Sequence, residues 1–372
     1  MSFSMTRCPS LRYLQINNCL DKARPSRQFS TYHPLRTKSN TTTSTSTSAS
    51  AIATAFLSRF QSLGPQTRTQ VLDANQLQLL SLTLNRPALF PDSPSLSNAS
   101  TPLPTGTPLP AGYHLAYFTP AFLETELGID GTDTSYNPAA PFTRRMWAGG
   151  EVQWPRDATT GQPNLLRVGQ EVRETTRVLS ASPKVIGKTG EEMIVVGVEK
   201  EFRNEDGIAV VDRRNWIFRK ALTSPLPPIQ TATPPPPTIT ETPKPATTTT
   251  TITGKTHTRT LRQTPVTLFR FSALTFNPHK IHYSTPWARE VEGHRDIVVH
   301  GPLNLIAMLD LWRDTRSSRE LSLPERISYR ATSPLYVEEE YRVVLDEEAA
   351  DGVGRVQILG PGDVVAMKAE VR

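Results

Sequence analysis

The chain has 372 residues, 33 of them proline, with 37% apolar residues and a formal net charge of +6. That length allows two or three domains, and the low apolar share comes from Ser/Thr-rich and Pro/Thr-rich stretches that cannot form a core. No apolar run approaches the roughly 18 residues that cross a bilayer as a helix, so no membrane span is predicted.

The first part of the chain carries much of the excess charge. Between Met1 and Leu72 the only acidic residue is Asp21, while Arg7, Arg12, Lys22, Arg24, Arg27, Arg36, Lys38, Arg59 and Arg68 are basic. A basic, Ser-rich and nearly acid-free start has the composition of a mitochondrial transit peptide, with Arg27-Gln28-Phe29-Ser30 as its candidate cleavage site. The other reading is a basic arm that touches nucleic acid. No interleaving of aromatic and basic residues follows it, so no nucleic-acid partner is expected. Both cysteines, Cys8 and Cys19, lie in this leader. Its removal leaves no disulfide, cysteine nucleophile or cysteine-held zinc.

In chain order, residues 1–50 read as leader plus Ser/Thr-rich spacer, and a first folded unit is expected over 51–220. Short helices are predicted at 51–60 and 69–84, the latter with Val71, Leu72, Leu77, Leu79 and Leu80 on apolar positions. Residues 87–110 are rich in Pro, Ser and Thr and read as a surface loop. Alternation and β-branched content predict strands at 171–178, 192–202 and 209–218, separated by turn chemistry at 187–190 and 204–207. Residues 221–263 read as a Pro/Thr-rich disordered linker with too little apolar surface to offset ordering entropy. A second unit is expected over 264–372: a strand at 266–271, a helix at 302–313, and strands at 326–331, 336–345, 355–359 and 364–371. The helix carries Leu303, Leu305, Ile306, Met308, Leu309 and Trp312, is apolar nearly all round and must be buried.

The chemistry concentrates around that helix. Asn277, His279, His282 and Tyr283 follow the strand expected at 266–271, and the apolar pair Val298-Val299 stops at His300-Gly301-Pro302 before the helix begins. An imidazole titrating near about 6.5 is mostly neutral at matrix pH and can accept a proton. A helix start leaves backbone N–H groups unpaired at the positive end of the dipole, proline suits the first helical position, and glycine permits close approach to the backbone. Taken singly, His282 reads as a structural histidine, and His-Gly-Pro as an ordinary helix start.

The run Leu274-Thr275-Phe276-Asn277, His279, Ile281-His282-Tyr283 resembles the signature of MaoC-like hot-dog dehydratases, in particular the hydroxyacyl-thioester dehydratase type 2 and mesaconyl-CoA hydratase pattern. In related (R)-specific hydratases an aspartate is expected at the position of Asn277, and another two residues after the histidine, where Ser284 stands. Asparagine cannot titrate, so the resemblance implies that His282 transfers the proton and Asn277 orients the substrate hydroxyl or a water. It implies Gly301 N–H as the donor to the thioester carbonyl, with His279, Tyr283, His300 and Pro302 as substrate-binding candidates and His294 on the surface. Arg144-Arg145-Met146-Trp147-Ala148-Gly149-Gly150-Glu151 and Leu166-Arg167-Val168-Gly169 resemble the N-terminal half of the same enzymes, with Trp147 to Gly150 at the place of a central helix. No histidine lies between His114 and His257, so that half is expected to be a degenerate hot-dog. The resemblance spans 118–220 and 266–372.

The implied fold is α+β, a double hot-dog of two curved antiparallel sheets each wrapping a central helix, as a monomer with two hot-dogs or a homodimer. The implied activity is dehydration of (3R)-3-hydroxyacyl thioesters in the mitochondrial matrix, on acyl carrier protein substrates of type II fatty acid synthesis. No cofactor and no metal are expected. The acyl chain would lie in an apolar tunnel beside the central helix, with Arg289, Arg295 and Arg313 at its mouth. One alternative is a hydratase of mesaconyl-CoA or another short enoyl-CoA, which would want an arginine in the pocket for the second carboxylate. Another is a non-catalytic acyl-thioester-binding protein.

Overall fold

The second strand of one half of the molecule pairs with the second strand of the other, and this junction organises everything else. The structure, a computed structural model, describes residues 48–187, 189–227, 249–316, 321–347 and 352–372. The expected leader and the Pro-rich centre of the expected linker lie outside the described residues. The strands are β1 (Gln66–Val71), β2 (Phe142–Gln153), β3 (Glu171–Val185), β4 (Glu192–Asn204), β5 (Gly207–Lys220), β6 (Thr249–Thr253), β7 (Thr256–Arg262), β8 (Arg326–Ala331), β9 (Glu340–Asp346), β10 (Gly354–Leu359) and β11 (Val365–Val371). They form one antiparallel sheet in the order β1-β3-β4-β5-β2-β8-β11-β10-β9-β7-β6. The first five follow the order 1-3-4-5-2. Read from the far side, β7-β9-β10-β11-β8 repeats it, with β6 added beyond β7. The halves meet where β2 pairs with β8, from Gly149 opposite Arg330 to Gln153 opposite Arg326. This is the expected double hot-dog.

The α-helices among the described residues are α1 (Ala49–Leu63), α2 (Ala74–Thr83), α3 (Pro265–Leu274) and α4 (Gly301–Asp314); α1 and α4 lie on the sheet, and α2 packs against α3. Every residue of α4 from Leu303 to Arg313 is buried, so it is the central helix of the second half, packed against β9 and β10. In the first half no helix of this length lies between β1 and β2. There α1 instead covers β3 and β4, with Ile52, Ala53, Phe56 and Phe60 on Ile194, Val196, Val198, Trp216 and Phe218. Its start is fixed by Ser48, whose hydroxyl accepts the Ala51 N–H at 3.2 Å.

Several expectations are corrected. The helix predicted at 69–84 begins as strand β1, because Thr67, Thr69 and Val71 suit a pleated edge and pair with β3. The helix starts only after Asp73, whose carboxylate accepts the Gln76 N–H at 2.8 Å. The strand predicted at 266–271 is helix α3: Thr264 caps it, Pro265 occupies its first turn, and Thr267, Leu268, Phe271 and Ser272 are buried at helical spacing. Trp147 to Gly150 lie in strand β2, not at a central-helix position. A Cβ on Gly150 would sit 2.0 Å from the Arg213 carbonyl oxygen, so the glycine lets β5 approach. The end of the expected linker is the hairpin β6-β7, whose Thr-rich strands are held by pairing of β7 to β9. The strand predicted at 336–345 begins only at Glu340, and the spacer's last two residues belong to α1.

Candidate active site

The loop that follows α3 is shaped by the helix's own ending. Asn277 N–H donates to the Ser272 carbonyl at 2.9 Å and Phe276 N–H to Ala273 at 3.2 Å, the paired bonds of a Schellman ending. Phe276 takes the left-handed conformation, φ 46°, a position that usually holds glycine and that costs a side chain about 1 kcal/mol or more. The Asn277 carboxamide oxygen accepts the His279 N–H at 3.4 Å. His282 then sits in the short turn Lys280–His282.

His282 Nδ1 lies 2.7 Å from the Val298 carbonyl oxygen, which can only accept, so Nδ1 carries the proton and Nε2 keeps its lone pair. Nε2 makes no hydrogen bond among the described residues. Burial pushes the His282 pKa down to about 3, with His279 adding to the effect; the ring stays neutral at any physiological pH. His300 stacks on it, ring centroids 3.7 Å apart at 18°, and is itself held by Ser272 Oγ, 2.9 Å from Nε2. Ser272, in α3, thus fixes His300, and His300 fixes the plane of His282.

His300 is the N-cap of α4, and Gly301 and Pro302 are its first two residues. Proline therefore stands second in the helix, not first. Gly301 N–H belongs to the turn that has no intrahelical acceptor. The reason for glycine here is packing: a Cβ would lie 2.9, 3.0 and 3.2 Å from Trp147 Cδ1, Cγ and Cβ. The first half of the chain thereby presses an indole against the N-terminus of the second half's central helix.

His279, also buried, meets His282 edge-on at 5.3 Å. Its Nε2 is 3.8 Å from Asp130 and 3.9 Å from Glu292. Burial alone would raise the Glu292 pKa, but the His279 and Trp287 hydrogen bonds and the Arg144 charge more than offset it, holding the carboxylate down to about 2. Trp287 Nε1 donates to Glu292 at 3.0 Å. Asp130 comes from the first half, whose loop accepts the Lys280 N–H at the Asp130 carbonyl, 2.8 Å.

The structure thus gathers His282, His279, His300, Gly301 and Pro302 around the start of α4, while the Asn277 side chain is placed only against the His279 N–H on the loop before them. Tyr283 is turned outward, 47% exposed. His294, expected on the surface, is half-buried with Nδ1 3.4 Å from the Tyr336 hydroxyl, because the segment packs under Tyr336. The three arginines expected at a pocket mouth are each tied to a carboxylate: Arg289 to Asp296, Arg295 to Glu339 and Arg313 to Asp310. Arg313 is buried at the opposite end of α4 from Gly301. Sequence reasoning missed Ser272, Glu292 and Asp130. Ser272 stands two residues before the motif without a distinguishing signal, and the two carboxylates are brought in by loops with no local pattern.

A cavity of about 350 Å³ runs along one face of α4, past Leu303, Ala307, Asp310 and Asp314. None of the motif histidines lines it, and Arg86, Arg259, Asp310 and Asp314 make one end charged, so it is not the apolar tunnel expected. Among the described residues no group of three or more His, Cys, Asp or Glu is placed to hold a metal ion, and no helix is long and apolar enough to cross a membrane.

Comparison with known proteins bears on the family and the fold. The chain is 29% identical over 274 residues to the mesaconyl-C(4)-CoA hydratase of Chloroflexus aurantiacus, covering 71% of this chain and 84% of the relative. It is 27% identical over 256 residues to the mitochondrial hydroxyacyl-thioester dehydratase type 2 of Schizosaccharomyces pombe, covering 65% and 79%. In fold it resembles HtdX of Mycobacterium tuberculosis (TM-score 0.51, 16% identity, 82% of this chain and 98% of that one) and a MaoC-like dehydratase from Phytophthora capsici (TM-score 0.51, 13% identity, 83% and 94%). Residues 112–337 match the family model for hydroxyacyl-thioester dehydratase type 2, a span that includes every motif residue described above. An enzyme that adds water to an enoyl thioester or removes it from a hydroxyacyl thioester is therefore what this sequence encodes, and the chain belongs to the hydroxyacyl-thioester dehydratase type 2 family.

Proposed function

We propose that the chain interconverts (3R)-3-hydroxyacyl and trans-2-enoyl thioesters with His282 as the single acid–base group. Dehydration requires removal of an α-proton of low acidity and stabilisation of the negative charge that develops on the thioester oxygen. His282 Nε2 takes the C2 proton; the carbonyl oxygen gains charge against Gly301 N–H and the positive end of α4. The C3 hydroxyl then departs with the proton returned by His282 and leaves as water. Asn277 holds the hydroxyl, or in the reverse direction the water. The observation that carries the reading is the His282 Nδ1–Val298 contact of 2.7 Å, which dedicates Nε2 to proton transfer one stacked ring away from the α4 N-terminus.

The proposed setting is the mitochondrial matrix, supported by the basic, acid-poor leader and by the mitochondrial relative. Acyl groups on a carrier protein, as in type II fatty acid synthesis, are one substrate class. The second is a short enoyl-CoA bearing another carboxylate, favoured by an arginine, Arg214, beside Trp147. The two-unit division at 51–220 and 264–372 is proposed as a division of labour, the second half holding the reacting groups and the first closing the site.

The test is hydration of an enoyl thioester, followed by loss of its conjugated absorbance, in His282→Ala and Asn277→Ala separately. The expected result is a loss of roughly 10²–10⁴-fold in kcat for His282→Ala and a smaller loss for Asn277→Ala. Near-normal activity in His282→Ala with loss in Asn277→Ala would overturn the assignment.

A further inference from the structure

The first half repeats the scaffold that carries the motif loop. Thr67-Arg68-Thr69 of β1, Leu77 and Ser81 of α2, and Pro87 after it stand in the same register as Thr258-Arg259-Thr260 of β7, Leu268 and Ser272 of α3, and Pro278, with no insertion between them. Both helices are 10 residues long, and each begins on a side chain, Asp73 or Thr264, that accepts the N–H three residues on. Both also end alike. Arg86 N–H donates to the Ser81 carbonyl at 2.9 Å and Asn85 N–H to Leu82 at 3.1 Å, as Asn277 and Phe276 do after α3. Asn85 is left-handed, φ 55°, where Phe276 is. Arg86 thus occupies the position of Asn277, and no histidine follows it in Pro87-Ala88-Leu89-Phe90-Pro91.

Beside this loop lies the cavity of about 350 Å³ along α4, at the small end of the roughly 300–1,000 Å³ of ligand pockets. Leu84, Ala88, Leu261, Leu303 and Ala307 line its apolar part, and Arg86, Arg259, Asp310 and Asp314 its charged end. Asp314 takes one edge of the Arg86 guanidinium, Nη1 and Nη2 both at 2.7 Å. On the other edge Nε is buried and makes no hydrogen bond among the described residues. Arg259 Nη2 donates to Asp314 at 2.8 Å, and Arg313 Nη2 lies 2.8 Å from Asp310, so three cations face two carboxylates. Arg316 is paired separately with Glu347 at 2.7 Å. The negative end of α4, worth about half a charge, offsets part of the excess and leaves it positive. A buried donor without an acceptor lowers stability, and apolar side chains around a void forgo dispersion contacts. One ligand with an apolar body and an anionic end removes both penalties.

We infer that this cavity, the first half's counterpart of the motif-loop site, is a second and non-catalytic binding site for a monocarboxylate with a short- to medium-length alkyl chain. The carboxylate lies on the Nε edge of Arg86, whose planar fork matches it, and shares the guanidinium with Asp314. The chain runs along Leu261, Leu303 and Ala307. With arginine where the motif loop has Asn277, and no histidine after it, the loop holds an acid and has no imidazole to move a proton. An ammonium end would meet three arginines, and an alcohol would meet them without a charge. The site is independent of the hydratase reading.

The experiment titrates the full chain with octanoate, octanol, octylammonium and acetate by calorimetry, each kept below the concentration at which it forms micelles. The expected result is saturable binding of octanoate, tighter by about tenfold or more than any of the other three, the size of one hydrogen bond between charged groups. Arg86→Lys keeps the charge and loses the fork; it is expected to weaken octanoate by about tenfold and to leave octanol unchanged. Ala307→Phe fills the cavity without touching a charge and is expected to abolish octanoate binding. Its folding is checked by the thermal midpoint of the unliganded protein, and Ala307→Leu, a smaller filling, replaces it where it does not fold. Octanol or acetate binding as tightly as octanoate overturns the inference, as does octanoate binding unmoved by Arg86→Lys or by the folded cavity-filling variant. Displacement of octanoate by butyryl-CoA would put it in the site of the motif histidines and overturn the inference as well. None of these outcomes depends on whether the chain hydrates a thioester.

Discussion

The two halves of the sheet share one strand order, yet their inner faces are built from different materials. In the second half the strands are covered by a central helix that is buried all round, and the contacts are Leu, Ile, Val and Met. In the first half the equivalent face carries Glu174, Lys200, Asp212 and Arg214, with His114 Nε2 3.3 Å from Asp212, and a helix from before β1 covers only its outer part. A strand order can thus be conserved between halves while the burial chemistry is reassigned. The half with the central-helix N-terminus carries the motif histidines His279, His282 and His300, and the half without such a helix supplies Trp147, Asp130 and a charged wall.

The largest test of this contrast removes one charge. Asp212→Ala leaves Arg214 largely buried without its carboxylate and is expected to destabilise the fold by about 3–5 kcal/mol, read as a shift of the denaturation midpoint. Leu305→Ala, which empties a fully buried position of α4, is expected to cost about 2–5 kcal/mol through cavity formation. The sharper experiment is the pair Asp212→Leu with Arg214→Met. If the first half's charges are dispensable for folding, the double variant recovers stability close to the parent. If it stays as destabilised as Asp212→Ala, the charged wall is part of the fold itself, and the contrast with the apolar half loses its functional meaning.

Gly301→Ala tests the contact between the halves. The new methyl would enter the space of Trp147 at 2.9–3.2 Å, and overpacking of this kind costs about 1–3 kcal/mol. Because Trp147 backs Gly301, the proposed oxyanion donor, kcat is expected to fall more than stability predicts. Trp147→Ala in the same chain would relieve the clash, so recovery of folding without recovery of kcat separates packing from chemistry. Recovery of both would show that Gly301 is there for packing alone.

The halves should also part company in acid. His282, His300 and His294 have pKa values lowered chiefly by burial, His282 to about 3. A depressed imidazole pKa means that the unfolded chain binds more protons once the pH drops below about 6.5. The stabilisation is full above that value and drains away as the pH falls toward 3. In the first half, burial alone would raise Glu174 and Asp133, but Lys200 and Arg68 for one and Arg145 for the other more than offset it and hold both below ordinary carboxylate values. Their contribution is full above about 4.5 and lost below it. Hydrogen exchange between pH 6.5 and 4.5 is therefore expected to loosen α4 and its strands before β3, β4 and β5. Simultaneous loss of protection would show that the sheet opens as one unit.

What could be read from the sequence follows from where the physical signal is local. The strands β3, β4 and β5 and the buried helix α4 were legible because alternation or an all-round apolar helix is decided within a dozen residues. The motif was legible only as a run of residues: the α3 ending that carries Asn277 is a local turn, whereas His282 is held by Val298 and Gly301 is seated on Trp147. Residues 266–271 looked like a strand because Val266, Leu268, Phe269 and Phe271 are apolar and Thr267 is β-branched; the deciding features were Thr264 and Pro265, a helix start just outside the window. β6 and β7 were hidden because these Thr-rich segments gain their order from pairing, β7 with β9, some 80 residues away in sequence, and β6 with β7. Trp147 was visible as a motif residue, but its place against Gly301 depends on the β2–β8 junction, which no local pattern encodes. The charged wall was invisible for the same reason: Glu174, Lys200 and Asp212 alternate inward on three different strands.

The smallest effect expected concerns how the first half reaches the acid–base chemistry. His282 with a pKa of about 3 is safely neutral, but the imidazolium that the proposed proton abstraction would form needs a stabilising field. His300 cannot supply it, being pushed well below its ordinary value by burial and by His282 itself. The carboxylate whose charge favours the His282 cation is Glu292, held in place by Trp287 of the second half and Arg144 of the first. Glu292→Gln keeps the shape and the Trp287 hydrogen bond and removes the charge. Its expected effect is a loss of several-fold to about tenfold in kcat with little change in KM, since one partly screened charge is worth about 1 kcal/mol at this range. The acid limb of the kcat profile should also move to lower pH, because a cation deprived of its counter-charge is harder to form. A KM effect with an unmoved profile would make Glu292 a prop for the loop and nothing more, and the first half would then reach the reaction only through Trp147.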